Sequence, residues 1–300
     1  MKITQPITVA GHYRQTDGRW QSVQVVTDGV QVVEVLSCEV SDDPTTFPAD
    51  LIGVEAAIGQ SLDSTLDSFG TGSIVTDFRS SDIAMGGQGA PLHPFYFHAL
   101  AKAQYTKPIV YLLIEDVISL VWVDPSVLDP TDPNAITAFE TGPGLGPVYQ
   151  LPHSGLKGEV VDGALELFLD DPYFRRLPPK QVDPSSFTHL LTLVNELAPE
   201  DAFATLLGMS ATSVLLALEH LPTVPAKFVL AGEGAINRLL RDLLSAALDA
   251  SIETLGNHDT VQAQSIAFLA ARVAQGLPTT APHTTGVAAA VGGGTLSESS

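Results

Sequence analysis

The residues best suited to chemistry lie together in Asp77-Phe78-Arg79-Ser80-Ser81-Asp82-Ile83-Ala84-Met85-Gly86-Gly87-Gln88-Gly89-Ala90-Pro91. A strand ending at Asp77 delivers a carboxylate, an arginine, a second carboxylate and then glycines, whose backbone N–H groups can approach a ligand closely. Asp77, Asp82 and Gln88 could exchange hydrogen bonds with a polyhydroxylated ligand. An ion pair of Arg79 with Asp77 or Asp82, bracing an ordinary loop, accounts for the same residues equally well. Two further segments carry suitable groups. In Phe139-Glu140-Thr141-Gly142-Pro143-Gly144 a carboxylate precedes a rigid turn and could deprotonate a hydroxyl or water. The spacing alone favours a solvated glutamate in a turn. In Leu230-Ala231-Gly232-Glu233-Gly234-Ala235-Ile236-Asn237 a strand, a glycine turn and a helix start suit a phosphate at a helix N-terminus. Many strand-to-helix turns use glycine, so this pattern is weak.

Other reactive residue types point away from metal and thiol chemistry. The eight histidines (His12, His93, His98, His153, His189, His220, His258 and His283) include no H-x-x-x-H pair. A zinc site needs three or four convergent ligands, so satisfied or exposed histidines are the simpler expectation. Cys38 is the single cysteine and permits no internal disulfide. Its apolar and acidic neighbours raise a thiol pKa, which favours a plain strand residue. No Walker loop, full dinucleotide fingerprint or nucleophile elbow is present.

The elements that must hold these groups follow from periodicity. Strands are expected at 7–11, 21–26 and 30–40, joined by Asp17-Gly18 and Asp28-Gly29 hairpins. Apolar residues at helical spacing (Leu51, Val54, Ile58, Leu62, Leu66) predict a helix over 50–69. A strand follows at 73–77, the glycine loop, a helix at 94–104, and strands at 108–114 and 118–123. From there the pattern is mainly helical (163–168, 185–197, 202–221, 237–250, 261–275) around one strand at 226–231, with a frayed Gly/Ser tail from 292. Trp20 and Trp122 fall on strands and read as core packing. Strands first, then helices around a returning strand, indicate an α/β fold.

Composition sets the outer bounds. The 300 residues are 45% hydrophobic and 16% charged, which marks a globular chain. With 34 acidic and 14 basic residues the formal net charge is −20. Such a surface repels phosphate backbones and anionic headgroups, so neither nucleic acid nor a membrane surface is an expected partner. There is no signal peptide pattern and no apolar run near the ~20 residues of a membrane span. A cytoplasmic location is expected.

Taken together, these segments resemble one family. Asp77 to Pro91 is similar to the D-F-R-x-x-D-[IV]-A-x-G-G-x-G-A-P signature of the anhydro-N-acetylmuramic acid kinases at every fixed position. Phe139 to Gly144 resembles their F-D-[ST]-G-P-G, with Glu140 for aspartate. Asp171-Pro172-Tyr173-Phe174 with Pro178-Pro179-Lys180, and Gly276-Leu277-Pro278 with Thr285-Gly286, resemble two further family segments. The resemblance runs from about Thr8 to Thr295. It implies an actin/hexokinase-like (ribonuclease H-like) fold of two α/β lobes with a central cleft. The expected lobes are 1–106, completed by 276–300, and a mostly helical 107–275. It also implies ATP and Mg²⁺ as cofactors, and an amino sugar as substrate: water opens the 1,6-anhydro bond and O6 is phosphorylated. Glu140 takes the base's place, its carboxylate one methylene further out; displacement by ~1 Å can cost about a hundredfold in rate. Asp77, Arg79, Asp82, Gln88 and Gln264 correspond to sugar-side residues, with Gln264 where the family has glutamate. Asp17, Gly18, Gly142, Gly144, Gly232 and Gly234 correspond to the nucleotide side.

The departures concentrate at the phosphates. The family's opening G-x-M-S-G-T-S-x-D-G reads Gly11-His12-Tyr13-Arg14-Gln15-Thr16-Asp17-Gly18, and its second phosphate loop reads Ile114-Glu115-Asp116-Val117-Ile118-Ser119. Two carboxylates in a phosphate loop oppose ATP electrostatically. After Lys180 the family's S-T-G-R-E is replaced by Gln181-Val182-Asp183-Pro184-Ser185, and an H-G-Q-T-V segment is absent between 42 and 77. The expectation is a family member impaired in phosphotransfer. Its alternatives are a sugar-binding or regulatory pseudokinase subunit and an active divergent sugar kinase. A homodimer using the helices of 185–221 is also expected.

Overall fold

A computed structural model describes residues 3–57, 60, 62, 69, 72–151, 158–182, 184–248 and 250–298. The strands in chain order are β1 (Ile7–Arg14), β2 (Trp20–Thr27), β3 (Val32–Ser41), β4 (Leu51–Ala56), β5 (Ser73–Thr76), β6 (Ile109–Ile114), β7 (Val117–Val123), β8 (Ile136–Pro143), β9 (Lys227–Ala231), β10 (Ser251–Thr254) and β11 (Thr295–Glu298). The helices are α1 (Ser80–Ala84), α2 (Pro94–Gln104), α3 (Asp162–Leu169), α4 (Leu190–Val194), α5 (Pro199–Ala217), α6 (Arg238–Ala247), α7 (Val261–Gln275) and α8 (Pro282–Thr285).

These elements form two compact units. The first comprises Met1–Thr106, Val123–Ile136 and Asp259–Ser300, the second Lys107–Trp122 and Thr137–His258. Segments 123–136 and 259–275, which the sequence reading placed with 107–275, therefore lie in the first unit.

The first unit's sheet has the order β11-β5-β4-β1-β2-β3. Its β1–β2 and β2–β3 pairs are antiparallel, joined by the two Asp-Gly turns, whereas β4 runs parallel to β1 and β5 parallel to β4. Helix α7 lies across β1, β2 and β4. It comes so close that a Cβ on Gly11 would stand 2.1 Å from the Ala263 carbonyl oxygen, and one on Gly53 2.8 Å from that of Ile266. The second unit's sheet, β10-β9-β6-β7-β8, repeats the arrangement, with β9 parallel to β6 and β10 parallel to β9. Read in order of appearance, both sheets share the order 3-2-1-4-5, to which β11 adds a sixth strand at the edge of the first. This is the strand order of the ribonuclease H-like α/β fold shared by actin and hexokinase.

Four expectations are corrected. Residues 51–56, expected to open a helix, form β4, with all six residues buried. A strand covered on both faces reads as a continuous apolar run, and its spacing mimics a helix. Leu62 and Phe69 are described and pack against that unit's core, while Ile58 and Leu66 lie outside the described residues. Residues 139–143 belong to a buried strand, β8, rather than to an exposed turn. The 185–197 helix is only a 3-10 turn, Pro184–Phe187, and the short α4. The tail is not wholly frayed, since β11 pairs antiparallel with β5. The strand Ser251–Thr254 had no counterpart in the sequence reading.

Helix α5 with its following 3-10 turn (Pro199–His220) is long and apolar enough by composition to cross a membrane, but 67% of its most apolar 18-residue window is buried. Its apolar residues, Leu206, Leu207, Met209 and Val214 among them, fill the second unit's core.

Candidate functional site

In the first unit the chain leaves β5 at Asp77, which sits in the left-handed region (φ 58°). Its Oδ1 accepts from the Ser80 hydroxyl (2.6 Å) and backbone N–H (3.3 Å), so it tethers the start of α1 while remaining exposed. Arg79 makes no ion pair with Asp77 or Asp82 among the described residues. Its Nη1 donates to the Gly89 carbonyl (2.7 Å) and its Nη2 to that of Ala56 (3.4 Å), pinning the glycine loop to the end of β4.

Asp82 is buried, and its carboxylate is used inside the protein. Oδ1 accepts from the Gly89 N–H (2.8 Å), and Oδ2 from the hydroxyls of Thr280 (2.6 Å) and Thr285 (2.5 Å). Gly87 must be glycine here, because a Cβ would meet Asp82 Oδ1 at 2.1 Å. The Gln88 N–H donates to the Thr285 carbonyl (2.9 Å). Two segments far apart in sequence, 77–91 and 279–286, are thus stitched into one loop cluster. Asp82 positions this cluster, and Asp77 together with the exposed Gly86 stretch presents groups outward.

Three supports were missed by sequence reasoning. Buried Glu55, at the end of β4, accepts from the N–H groups of Phe78 and Ala56 (3.0 Å each). Thr279 accepts from the Gly293 N–H (2.6 Å), and the Gly294 N–H donates to the Asp77 carbonyl (3.1 Å). The signal for the last pair was the Gly-Gly-Gly run before a strand-like Thr-Leu-Ser. Fully buried His93 is held neutral, its pKa lowered to about 3 by burial and then by the Arg79 charge. Gln264 lies inside the same unit, accepting from the Tyr96 hydroxyl and donating to Thr260 (2.9 Å). These bonds put its amide in the packing of α2 and α7.

In the second unit Glu140 sits on β8, 7% exposed. Its carboxylate accepts from the Val182 N–H, its N–H donates to the Lys180 carbonyl (2.9 Å), and its carbonyl accepts from the Tyr173 hydroxyl. Burial and the Glu140 charge push the Tyr173 hydroxyl's pKa up. The Lys180 ammonium lies over the Tyr173 ring (4.6 Å) and the Phe139 ring (6.0 Å), and burial lowers its pKa. The segments 139–144 and 171–182 therefore converge on one buried carboxylate.

The Asp17 hairpin is closed on itself, and the Gly144–Gly146 turn is bonded to the neighbouring 115–116 turn. In the first unit Asp17 accepts from the Arg19 backbone N–H (2.9 Å) and pairs with its guanidinium (2.6 Å), while the Gln15 and Gly18 N–H groups donate within the same hairpin. Gly18 sits at φ 90°, as this turn requires. In the second unit the N–H groups of Gly144, Leu145 and Gly146 all donate to the Glu115 and Asp116 carbonyls, at 2.9, 2.7 and 3.2 Å. Gly142 and Gly144 are packing glycines: a Cβ would stand 2.8 Å from Ser213 Cβ in one case and 2.2 Å from the Glu115 carbonyl oxygen in the other. Gly232 (φ 83°) and Gly234 press on Ile114, and the Glu115 carboxylate reaches to 2.9 Å of where a Gly232 Cβ would be. Tyr149 donates to Glu233 (3.1 Å), and its hydroxyl pKa is raised by burial, then by Glu233, Glu115 and Asp116.

Sequence comparison adds what the geometry alone does not name. The anhydro-N-acetylmuramic acid kinase family is matched over residues 63–148 and 152–298. The anhydro-N-acetylmuramic acid kinase of Ruegeria sp. (strain TM1040) is 41% identical over 308 residues, spanning 93% of this chain and 81% of the relative. That of Cereibacter sphaeroides is 37% identical over 311 residues, spanning 93% and 82%. That of Roseobacter denitrificans is 40% identical over 241 residues, spanning 75% of this chain but only 64% of its own length. With both loop clusters falling inside the matched residues, this chain belongs to the anhydro-N-acetylmuramic acid kinase family.

Proposed function

We propose that the chain binds 1,6-anhydro-N-acetylmuramic acid, or a close amino sugar, through the Asp77–Pro91 loop and has lost most or all phosphotransfer. The observation that carries this reading is the engagement of the N–H groups of the Asp17 hairpin and the Gly144–Gly146 turn within the protein. Phosphate binding needs N–H groups or cations directed at the anion. The N–H groups of Gly144, Leu145 and Gly146 are consumed by Glu115 and Asp116, and three carboxylates surround Tyr149. The residues present do not fit a triphosphate.

The sugar side contrasts with this. Its loop is braced at Arg79, Asp82 and Thr285, which keeps the exposed Asp77 carboxylate in a fixed place for hydroxyl recognition. Preorganisation of this kind reduces the ordering cost of binding. Thermal-shift and calorimetric titration with 1,6-anhydro-N-acetylmuramic acid and, separately, MgATP tests the reading: the sugar is expected to bind and the nucleotide not to.

A second reading, a slow divergent kinase, is favoured by one observation, the buried and anchored Glu140. A carboxylate so held can act as general base. Turnover that disappears in Glu140→Gln, with sugar binding retained, would establish it. The lone Cys38, exposed and with its pKa raised first by burial, is compatible with a reducing cytoplasm. Assembly as a homodimer remains part of the proposal.

A further inference from the structure

A cavity of about 220 Å³ opens in the first unit, lined by α2, α7 and the 128–130 segment together with Val30 and Leu277. It lies beside the Asp28–Gly29 turn, at the start of β1, whereas the Asp77 loop follows the ends of the parallel strands β4 and β5. The two lie towards opposite ends of the strands, and the 278–280 segment links them: Pro278 accepts from Arg272, and Thr280 donates to Asp82.

Arg272 is the unusual residue in this cavity. Only 4% of it is exposed, yet no carboxylate lies within ion-pair distance among the described residues. Its Nε and Nη1 donate to the carbonyls of Pro278 (2.6 Å) and Gly29 (2.8 Å), and its guanidinium stacks near Phe95 (5.0 Å) and Phe268 (5.8 Å). Buried charges are ordinarily paired. Nη2 has no acceptor among the described residues. Lys102, also on the cavity wall, donates only to the Leu128 carbonyl (3.3 Å). Its pKa is lowered by burial and then by Arg272, so the two cations repel across the space.

Asp129 also lines the cavity and, with Asp28, attracts these cations electrostatically, but among the described residues neither carboxylate reaches ion-pair distance and each is engaged by its own turn. Asp129 accepts from the Thr131 N–H and hydroxyl, and Asp28 from the Val30 and Gln31 N–H groups. Phe95 and Phe268 supply apolar wall, and the exposed Val30 and Leu128 an apolar rim.

We propose that this cavity binds a small amphipathic anion, its carboxylate or phosphate on Arg272 and Lys102 and its apolar body against Phe95 and Phe268. The volume is below the roughly 300–1,000 Å³ of drug-sized sites, so the occupant is small.

The test uses the full chain and three probes: phenylacetate, phenyl phosphate and the neutral 2-phenylethanol. NMR shifts of the His98 ring, which lines the cavity, report binding locally. Either anion is expected to saturate these shifts while the alcohol does not, and the better anion distinguishes a carboxylate from a phosphate occupant. Lys102→Gln, a partly exposed position, is expected to weaken anion binding about tenfold with an unchanged melting temperature. Equal binding of the alcohol, no shift with either anion at about 20 mM, or undiminished anion binding by Lys102→Gln would each overturn the proposal.

Discussion

Asp82 and Glu140 show how the same residue type takes different work from its surroundings. Asp82 answers three donors, so replacing it with alanine leaves two hydroxyls and an N–H buried without an acceptor. Asp82→Ala is expected to cost about 3 kcal/mol and to abolish sugar binding, read by urea denaturation and calorimetry. A fully stable variant would show that the loop does not depend on this staple. The buried histidines set a pH dependence. His12, His93 and His98 have pKa values lowered by burial to about 4, about 3 and about 4. Below pH about 6.5 the unfolded chain binds protons that the folded chain refuses, so stability is complete above that value and falls towards pH 3–4. The slope is about 1 kcal/mol per pH unit for each histidine. The urea midpoint should therefore be clearly lower at pH 5.0 than at pH 7.5, and an unchanged midpoint would contradict the burial argument.

At the scale of elements, the packing of α7 onto β1 and β4 depends on absent side chains. Gly11→Ala places a Cβ 2.1 Å from a helix carbonyl oxygen and is expected to destabilise by about 3 kcal/mol, whereas Gly163→Ala, in open space on exposed α3, should stabilise slightly. Thermal melts of the two variants shifting in the same direction would refute this. The sequence disclosed elements whose pattern is set locally: the Asp-Gly hairpins, α2 and α7. It misassigned or missed elements whose character comes from tertiary cover. Buried β4 carries helical spacing by accident, β8 is concealed by its glycine and proline, and β10 and β11 are four-residue edge strands. The site followed the same division. Asp77, Glu140 and the glycine loop were legible as types and spacing. The roles of Glu55, Thr280 and Thr285 were not, because their partners lie 23, 198 and 203 residues away.

At the scale of the whole chain, two units with matching strand order each bring together two of the four family segments, and they differ in what their loops can still do. The first holds an open, braced polar loop. The second holds a buried carboxylate beside turns whose N–H groups are already bonded and whose charge is negative. A net charge of −20 disfavours a polyanionic nucleotide further, in line with the proposed loss of phosphotransfer. The most direct test is calorimetric titration of the purified chain with MgATP and with 1,6-anhydro-N-acetylmuramic acid. The account predicts sugar binding within the roughly 1 µM–1 mM range of substrates and MgATP binding weaker than about 1 mM. A MgATP dissociation constant of tens of micromolar (about 10–100 µM) would contradict it.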